Sequence, residues 1–333
     1  MRILQIVPHL PPPYEGVGTY AVALAGALGG EARFLVGDPA WTGERYGARA
    51  IPARTAADLL AALEETGEKG TVLLHYANYG YQRRGDPAWL VEGLTRWQGR
   101  LVTLFHEVWA SGPPWRSSFW LRPAQRRLAA RLARRSEGIA TTLEVYAGML
   151  RPWSAGREIA VLPVFSTVGE PAAVPAFGDR ARRIVVFGGA GVRGRAYGRF
   201  LPALARAARE IAAEEIWDVG PPLPLPAAAG GVPIRPLGVL PAGEVSGILL
   251  GAAAGFLAYP PAFLPKSTIF AAYCAHGALP VWVWKPPLDG APVPSWTGAG
   301  DPAAVAATAR AWYLEHSLER QTERFRELLG GRA

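Results

Sequence analysis

The chain has 333 residues, of which 50% are hydrophobic and 19% charged; this excludes a disordered or collagen-like chain and is long enough for two domains with a sizeable core. A formal net charge of +8 and a pI near 9.9 favour anionic partners, although the Ala, Arg, Gly and Pro usage is also what a GC-rich genome would produce. Cys274 is the single cysteine, so no internal disulfide forms, and no CxxC or Cys/His cluster has zinc spacing. With no basic-then-apolar leader at the N-terminus, a cytoplasmic, reducing compartment is expected.

The first thirty residues carry the strongest local signal. Arg2–Val7 reads as a buried strand, followed by a turn with Pro8, Pro11, Pro12 and Pro13, then Glu15-Gly16-Val17-Gly18-Thr19-Tyr20 and an Ala/Leu helix over Ala21–Leu28. A strand, a glycine turn and a helix in that order form an anion pocket, because glycine lets backbone N–H groups approach a ligand and the helix N-terminus is partially positive. An ordinary strand-to-helix turn is the alternative. Apolar strands are then expected at Ala32–Val36, Thr71–His75, Arg100–Phe105, Gly138–Thr141 and Ile159–Leu162. Helices are expected at Ala56–Glu65, Pro87–Trp97, Pro123–Arg135 and Leu143–Leu150. This alternation is that of βα units on a parallel sheet.

The stretch Val164–Asp179 has no clear period and contains Gly169, Pro171, Pro175 and Gly178, which suggests a linker over 166–180 between domains at 1–165 and 181–315. Strands are expected again at Arg183–Phe187, Glu215–Val219, Ile234–Leu237, Ala254–Tyr259 and Leu279–Trp284. Helices are expected at Tyr197–Ala213, Ala242–Leu250, Ser267–His276, Pro302–Leu314 and Leu318–Leu329, the last within a separate C-terminal segment, 316–333. The longest apolar region, Val245–Leu264, is broken by glycines and prolines and reads as a helix plus a strand rather than a membrane span. The fold class that emerges is α/β, with two Rossmann-like, doubly wound domains facing a central cleft. Both glycine loops follow the first strand of their half, where ligands of open α/β sheets bind.

Several constellations could carry chemistry. In Phe187-Gly188-Gly189-Ala190-Gly191-Val192-Arg193-Gly194-Arg195 the span Gly189–Gly194 satisfies GxGxxG, and its two arginines suit a diphosphate; a solvated basic loop is the alternative. Lys266-Ser267-Thr268 opens a helix, so its hydroxyls either cap N–H groups or, beside the lysine, hold a phosphate. His106 and Glu107 end a strand and point to the site side, where a lone histidine is otherwise a satisfied structural group. Tyr79 and Tyr81, with Tyr76, Arg83 and Arg84, lie in a loop that could hold an acceptor. Trp109, Trp115, Phe119 and Trp120 flank Gly112-Pro113-Pro114 and suit sugar stacking, a lipid contact or the core. Arg122, Arg126, Arg127, Arg131, Arg134 and Arg135 form a basic face opposite Leu128 and Leu132. That face is either solvated or a contact for an anionic membrane, and it lacks the interleaved aromatics of a nucleic-acid module.

Taken together, these residues resemble the retaining glycosyltransferases of the GT-B fold, in the GT4-like group related to glycogen synthase. The marks, in order, are Met1–Leu28 with Gly16-Val17-Gly18; Phe105-His106-Glu107 followed by Arg134-Arg135-Ser136 and Thr141-Thr142; Leu237-Gly238-Val239-Leu240 before Val245 and Leu249-Leu250; and Ala275-His276-Gly277-Ala278-Leu279-Pro280-Val281. The resemblance implies transfer of a sugar from a nucleotide-diphosphate donor to a carbohydrate or lipid-linked acceptor, in surface polysaccharide or glycolipid assembly. It implies no cofactor and no metal, because cationic side chains and helix N-termini neutralise the departing diphosphate. Mapped onto this chain, His106, Arg193 and Lys266 are the catalytic candidates. Gly16, Val17, Gly18, Gly189, Arg195, Ser267 and Thr268 are the donor-binding candidates, and Tyr79, Tyr81, Glu107 and Trp115 would meet the acceptor. A peripheral position at the inner membrane face, through Arg122–Arg135, is also expected.

One departure stands out. The two glutamates that such enzymes carry eight residues apart are replaced here by Leu264 and Ala272. Two other readings therefore stay open. One is a non-catalytic GT-B binding subunit. The other is an NAD(P)-dependent oxidoreductase using Gly189–Gly194, for which Asp218 is the ribose-binding candidate.

Overall fold

The computed structural model describes residues 3–11, 16–29, 32–43, 45–65, 70–110, 112, 114–115, 117–286, 289–296 and 298–330. Pro12, Pro13 and Glu15 of the expected anion turn, and Pro113 of the aromatic loop, lie outside the described residues. The chain divides into two compact units, Met1–Pro163 with Gln321–Ala333, and Val164–Arg320.

The first unit is built on seven strands: β1 (Ile3–Val7), β2 (Ala32–Val36), β3 (Ala48–Ala50), β4 (Thr71–Tyr76), β5 (Arg100–Phe105), β6 (Gly138–Thr141) and β7 (Ile159–Val161). They lie in the order β3-β2-β1-β4-β5-β6-β7, and all pairs are parallel. Every residue of β1 is buried, as expected of a strand covered by helices on both faces. The chain runs outward from β1 to β3 and then returns to the other side of β1. The order therefore reverses between β1 and β4, and the crevice outside the carboxyl ends of those strands is the natural ligand position.

The second unit repeats the plan with β8 (Ala181–Phe187), β9 (Glu215–Val219), β10 (Ala228–Ala229), β11 (Val232–Gly238), β12 (Ala252–Ala258) and β13 (Leu279–Val283), in the order β10-β11-β9-β8-β12-β13. Only β10 and β11 pair antiparallel. Here the reversal falls between β8 and β12. The apolar Val245–Leu264 region is indeed a helix, Ala242–Gly251, running into the fully buried β12. No helix among the described residues is long and apolar enough to cross a membrane.

Three expectations need correction. The helix expected at Tyr197–Ala213 is two helices, Ala190–Tyr197 and Leu201–Glu210, interrupted at Gly198, whose ψ of −102° leaves the helical region, and restarted with Pro202 in the first turn. The expected linker is packed into the second unit: Arg310 donates to the carbonyls of Pro171 and Ala172, Arg180 to that of Pro175, and Tyr313 Oη accepts the Ser166 N–H at 2.8 Å. The terminal helix Leu318–Gly330 is not separate, because from Gln321 onward it belongs to the first unit. Phe325 and Leu329, one turn apart, are buried there, and Arg100 and Thr71 bond the carbonyls of Leu328 and Leu329.

Candidate functional site

The crevice of the second unit starts at Gly188, the residue after β8. Its φ of +121° suits glycine, and a Cβ there would come within 2.3 Å of Ile269 Cδ1. Gly188 is followed by Gly189, the N-cap of helix Ala190–Tyr197, and Ile269 lies in the first turn of helix Thr268–Ala275. Two helix N-termini therefore converge at the point where the strand order reverses. Ser267 caps the second, accepting from the Phe270 N–H at 3.2 Å, while Gly189 supplies no side-chain cap to the first. A Cβ at Gly189 or Gly191 would meet nothing within 4 Å, so the approach to the first helix is open. Tyr273 secures the arrangement: it accepts the Phe187 N–H at 3.3 Å and lies against Gly255, where a Cβ would overlap its ring at 2.3 Å.

Lys266 is half-buried immediately before this second helix, and Arg195 is anchored through Nε to the Ala258 carbonyl at the end of β12, at 3.3 Å. The fold brings Lys266, a catalytic candidate, and the donor-binding candidates Arg195, Ser267, Thr268 and Gly189 to one rim.

Arg193 does not join them. It is fully buried, with Nε on the Gly188 carbonyl at 2.8 Å, Nη1 on Asp218 Oδ2 and Nη2 on the Pro221 carbonyl. Gly220, at φ +149°, has no room for a Cβ beside this guanidinium. All three of its nitrogens are occupied, so Arg193 holds the carboxyl ends of β8 and β9 together and does not meet a diphosphate. The same pair corrects the dinucleotide reading. The helix does open at once after Gly189, as a Rossmann fingerprint requires, but Asp218 is 2% exposed and paired with Arg193, so it cannot serve a ribose. Leu264 and Ala272, at the places of the missing glutamates, are fully buried.

In the first unit, Gly16 is exposed, and a Cβ there would meet nothing within 4 Å. Gly18 has a different role: a Cβ would lie 2.3 Å from the His9 carbonyl oxygen, so this glycine packs helix Gly16–Leu28 against the turn after β1 rather than opening to a ligand. Val17 lies between them, half-buried.

His106, one residue past β5, is 8% exposed, and its Nε2 lies 3.1 Å from His75 Nδ1; His75 Nε2 lies 2.8 Å from Gln5 Oε1. Burial pushes His75 down to about 3 and keeps it neutral. The Tyr20 ring packs edge-on against both imidazoles, at 6.0 and 5.3 Å between centroids. Sequence reasoning did not select Gln5, His75 or Tyr20. The available signal was a polar residue inside each of two otherwise apolar strands beside the reversal point.

Tyr81, expected at an acceptor, is a core residue: it is fully buried, and its hydroxyl lies 3.0 Å from both the Ile6 and His75 carbonyls. Tyr79 is 40% exposed and accepts from Gln125 Nε2 at 3.1 Å. Trp115 and Trp120, 84% and 73% exposed, are not core. Glu107 is half-buried, and its charge adds to burial in raising the Tyr76 and Tyr146 phenols. Around it, at the carboxyl ends of β4, β5 and β6, the buried atoms Tyr76 Oη, Asn78 Nδ2, Trp109 Nε1 and Thr142 Oγ1 have no hydrogen-bond partner among the described residues. Buried polar atoms without partners are costly, so such a group at a strand rim suits a ligand rich in hydroxyls. No group of three or more His, Cys, Asp or Glu that could hold a metal ion occurs among the described residues.

No protein-family profile matches the chain, and no curated protein matches it. Solved structures do. AviGT4, a glycosyltransferase involved in avilamycin A biosynthesis, is 15% identical with a TM-score of 0.53, covering 99% of this chain and 98% of that one. An alpha-glucosyltransferase in complex with UDP and a 13-mer DNA is 11% identical with a TM-score of 0.61, covering 99% and 100%. The chain has the GT-B fold. That fold is not confined to transferases: the UDP-GlcNAc 2-epimerase of Methanocaldococcus jannaschii matches at 10% identity and a TM-score of 0.52, covering 99% of both chains. Within a GT-B frame, the second sheet carries the open helix N-termini and the first carries the histidine pair and the unpartnered rim.

Proposed function

We propose that the chain is a glycosyltransferase that moves a sugar from a nucleotide-diphosphate donor to an acceptor hydroxyl. The observation that carries this reading is the convergence of two helix N-termini at Gly188 and Ile269, beside Lys266 and Arg195. Oriented N–H groups and fixed cations stabilise the negative charge that builds on a diphosphate as its bond to the sugar breaks, and they need no metal to do so. Lys266, Arg195, Ser267, Thr268 and Gly189 bind the diphosphate; His106 bonds a hydroxyl of the transferred sugar; Glu107 and Tyr79, with the unpartnered rim atoms, take the acceptor. Retention of configuration rests on the GT4-like resemblance alone. Relatives with UDP or UDP-2-fluoro glucose bound support a nucleotide-sugar donor.

An acceptor carried on a lipid, in surface polysaccharide or glycolipid assembly, fits the surface of the first unit. Trp115 is exposed just before helix Ser117–Arg135 and Trp120 is exposed in its first turn, and Arg122, Arg126, Arg127, Arg131 and Arg134 of the same helix are also exposed. Indole rings favour the membrane interface, and each arginine near an anionic surface adds about 1 kcal/mol, which supports a peripheral position at the inner face.

Leu264 and Ala272 favour a second reading, a binding subunit that holds the donor without turnover. Thermal shift with UDP, GDP, ADP and NAD, followed by donor hydrolysis and transfer assays, tests both. Stabilisation by a nucleoside diphosphate and turnover that falls on Lys266→Ala are expected. Binding without turnover supports the subunit, and stabilisation by NAD alone removes the transferase.

A further inference from the structure

The second unit carries a cavity that shares no residue with the donor rim. Its volume is about 460 Å³, within the range of small-molecule sites, and it lies between helix Leu201–Glu210 and β13, the last strand of the second sheet. Val281 and Val283 line it from the strand, and Ala203, Arg206 and Glu210 line it from the helix, on one side because they are three and four residues apart. Phe200, just before the helix, stacks on Trp284, just past the strand, with ring centroids 6.0 Å apart and planes 24° apart. Trp296 completes the lining.

Two observations limit what can occupy this cavity. The strand beside it is closed to a pairing peptide. Pro280 and Trp282 are two apart and share the free edge of β13; Pro280 has no N–H, and Ser295 Oγ accepts the Trp282 N–H at 3.0 Å and donates to the Trp282 carbonyl at 2.7 Å. The side chains, in turn, combine aromatic surface with unmet polar capacity. Trp296 is 7% exposed, and its Nε1, which can only donate, is buried without a hydrogen-bond partner. Arg206 Nε and Glu210 Oε1 are 3.8 Å apart, an ion pair too long for a hydrogen bond, so one still offers donors and the other an acceptor.

We propose that this cavity binds a short oligosaccharide at a site apart from transfer. A sugar ring has apolar C–H faces that stack on Trp284, and hydroxyls that accept from Trp296 and Arg206 and donate to Glu210. An acyl chain would leave the buried indole N–H and the carboxylate without partners, and an anion gains little from an arginine already paired with a glutamate. The site does not depend on turnover at the donor rim.

Titration of the nitrogen-15-labelled full chain with maltotriose, cellotriose and mannotriose, read at the indole N–H resonances, tests the inference; Trp296→Phe assigns the Trp296 signal by its loss. A saturable shift of that signal with at least one of the three is expected. Trp296→Phe keeps a ring and removes the donor, so its calorimetric affinity for the same sugar should be about tenfold weaker, and Glu210→Ala should weaken it likewise. Lys266→Ala, at the donor rim, should bind the sugar as the wild type does. No shift with any of the three overturns the proposal, as does affinity unchanged in a folded Trp296→Phe protein or lost in Lys266→Ala. A saturable shift with a polyproline peptide and none with the sugars would reassign the cavity to a peptide. If Trp296→Phe fails to fold, Glu210→Ala decides: unchanged sugar affinity overturns the proposal. Sugar binding in a chain that turns over no nucleotide sugar would retire the transferase reading and leave this site standing; turnover without such binding would do the reverse.

Discussion

Tyr20 and Gln321 are 301 positions apart in sequence and are joined by a 2.6 Å hydrogen bond from the phenol to the amide oxygen. The same glutamine donates through Nε2 to the Pro163 carbonyl, the last residue of the first unit's main segment. One buried side chain thereby ties the returning C-terminal helix to the helix after β1 and to the chain's exit from the first unit.

Replacing Gln321 with Leu removes its hydrogen bonds with the Tyr20 hydroxyl and the Pro163 carbonyl, and the expected cost is about 1–3 kcal/mol. Urea unfolding would measure it. In a cycle with Tyr20→Phe the double variant should lose less than the sum of the singles, because their shared hydrogen bond can be lost only once; strict additivity would mean that the bond contributes nothing.

Arg193 and Asp218 are 0% and 2% exposed. Arg193→Met strands a buried carboxylate, with an expected loss of about 3–5 kcal/mol, whereas Arg193→Met with Asp218→Leu should recover much of it. A soluble Arg193→Met protein as stable as wild type, but deficient in diphosphate binding, would return Arg193 to the donor site.

Gly188→Ala places a Cβ at φ +121° and within 2.3 Å of Ile269 Cδ1. A destabilisation of about 1–3 kcal/mol is expected from backbone strain, with part of the steric share relieved by Ile269→Ala. Because both helix starts shift with that contact, nucleoside diphosphate binding should weaken in Gly188→Ala by more than the stability change alone would produce; calorimetric titration compares the two.

Stability should fall in acid with a defined sign. His75, His276 and His316 are all lowered, chiefly by burial, so each is neutral in the fold when its unfolded counterpart begins to charge. The unfolded state then binds more protons. The contribution is fully present above the unfolded value of about 6.5 and is lost as pH falls towards each folded value, which for His75 is about 3. For His75 alone the span corresponds to on the order of 5 kcal/mol. Denaturant unfolding at pH 8, 6, 5 and 4 should show declining stability; a flat profile would contradict the buried neutral imidazoles.

Trp115→Ala with Trp120→Ala should leave stability within about 0.5 kcal/mol, since both rings are exposed. Sedimentation with vesicles containing anionic lipid should show binding by the wild type that drops in this variant and with added salt. Equal binding to neutral vesicles would argue against the basic face.

Much of the architecture is legible because parallel sheets need near-continuous apolar strands between helices, and β1, β4, β5, β8 and β12 read as such. The Lys266–Thr268 helix start is legible as well, since a proline, a cation and two hydroxyls mark a helix N-terminus locally. Two misplacements share one cause: Arg193 and Tyr81 have residue types that suit a ligand, but whether a guanidinium or a phenol faces solvent or another chain segment depends on partners distant in sequence, whereas Gly18 packs on the nearby His9 carbonyl. Asp218 is 25 residues from Arg193, and the Ile6 carbonyl is 75 from Tyr81.

The amino-acid order alone determined two alternating βα halves, a basic chain without disulfides, and glycine turns after the first strand of each half. Only the tertiary structure decided which polar groups are spent on the fold and which remain at a rim. Strand register carries Gln5, His75 and His106 onto one face, and closure of β8 against β9 consumes Arg193. Periodicity specifies which face of an element is buried, but it holds no information on which other element will cover it.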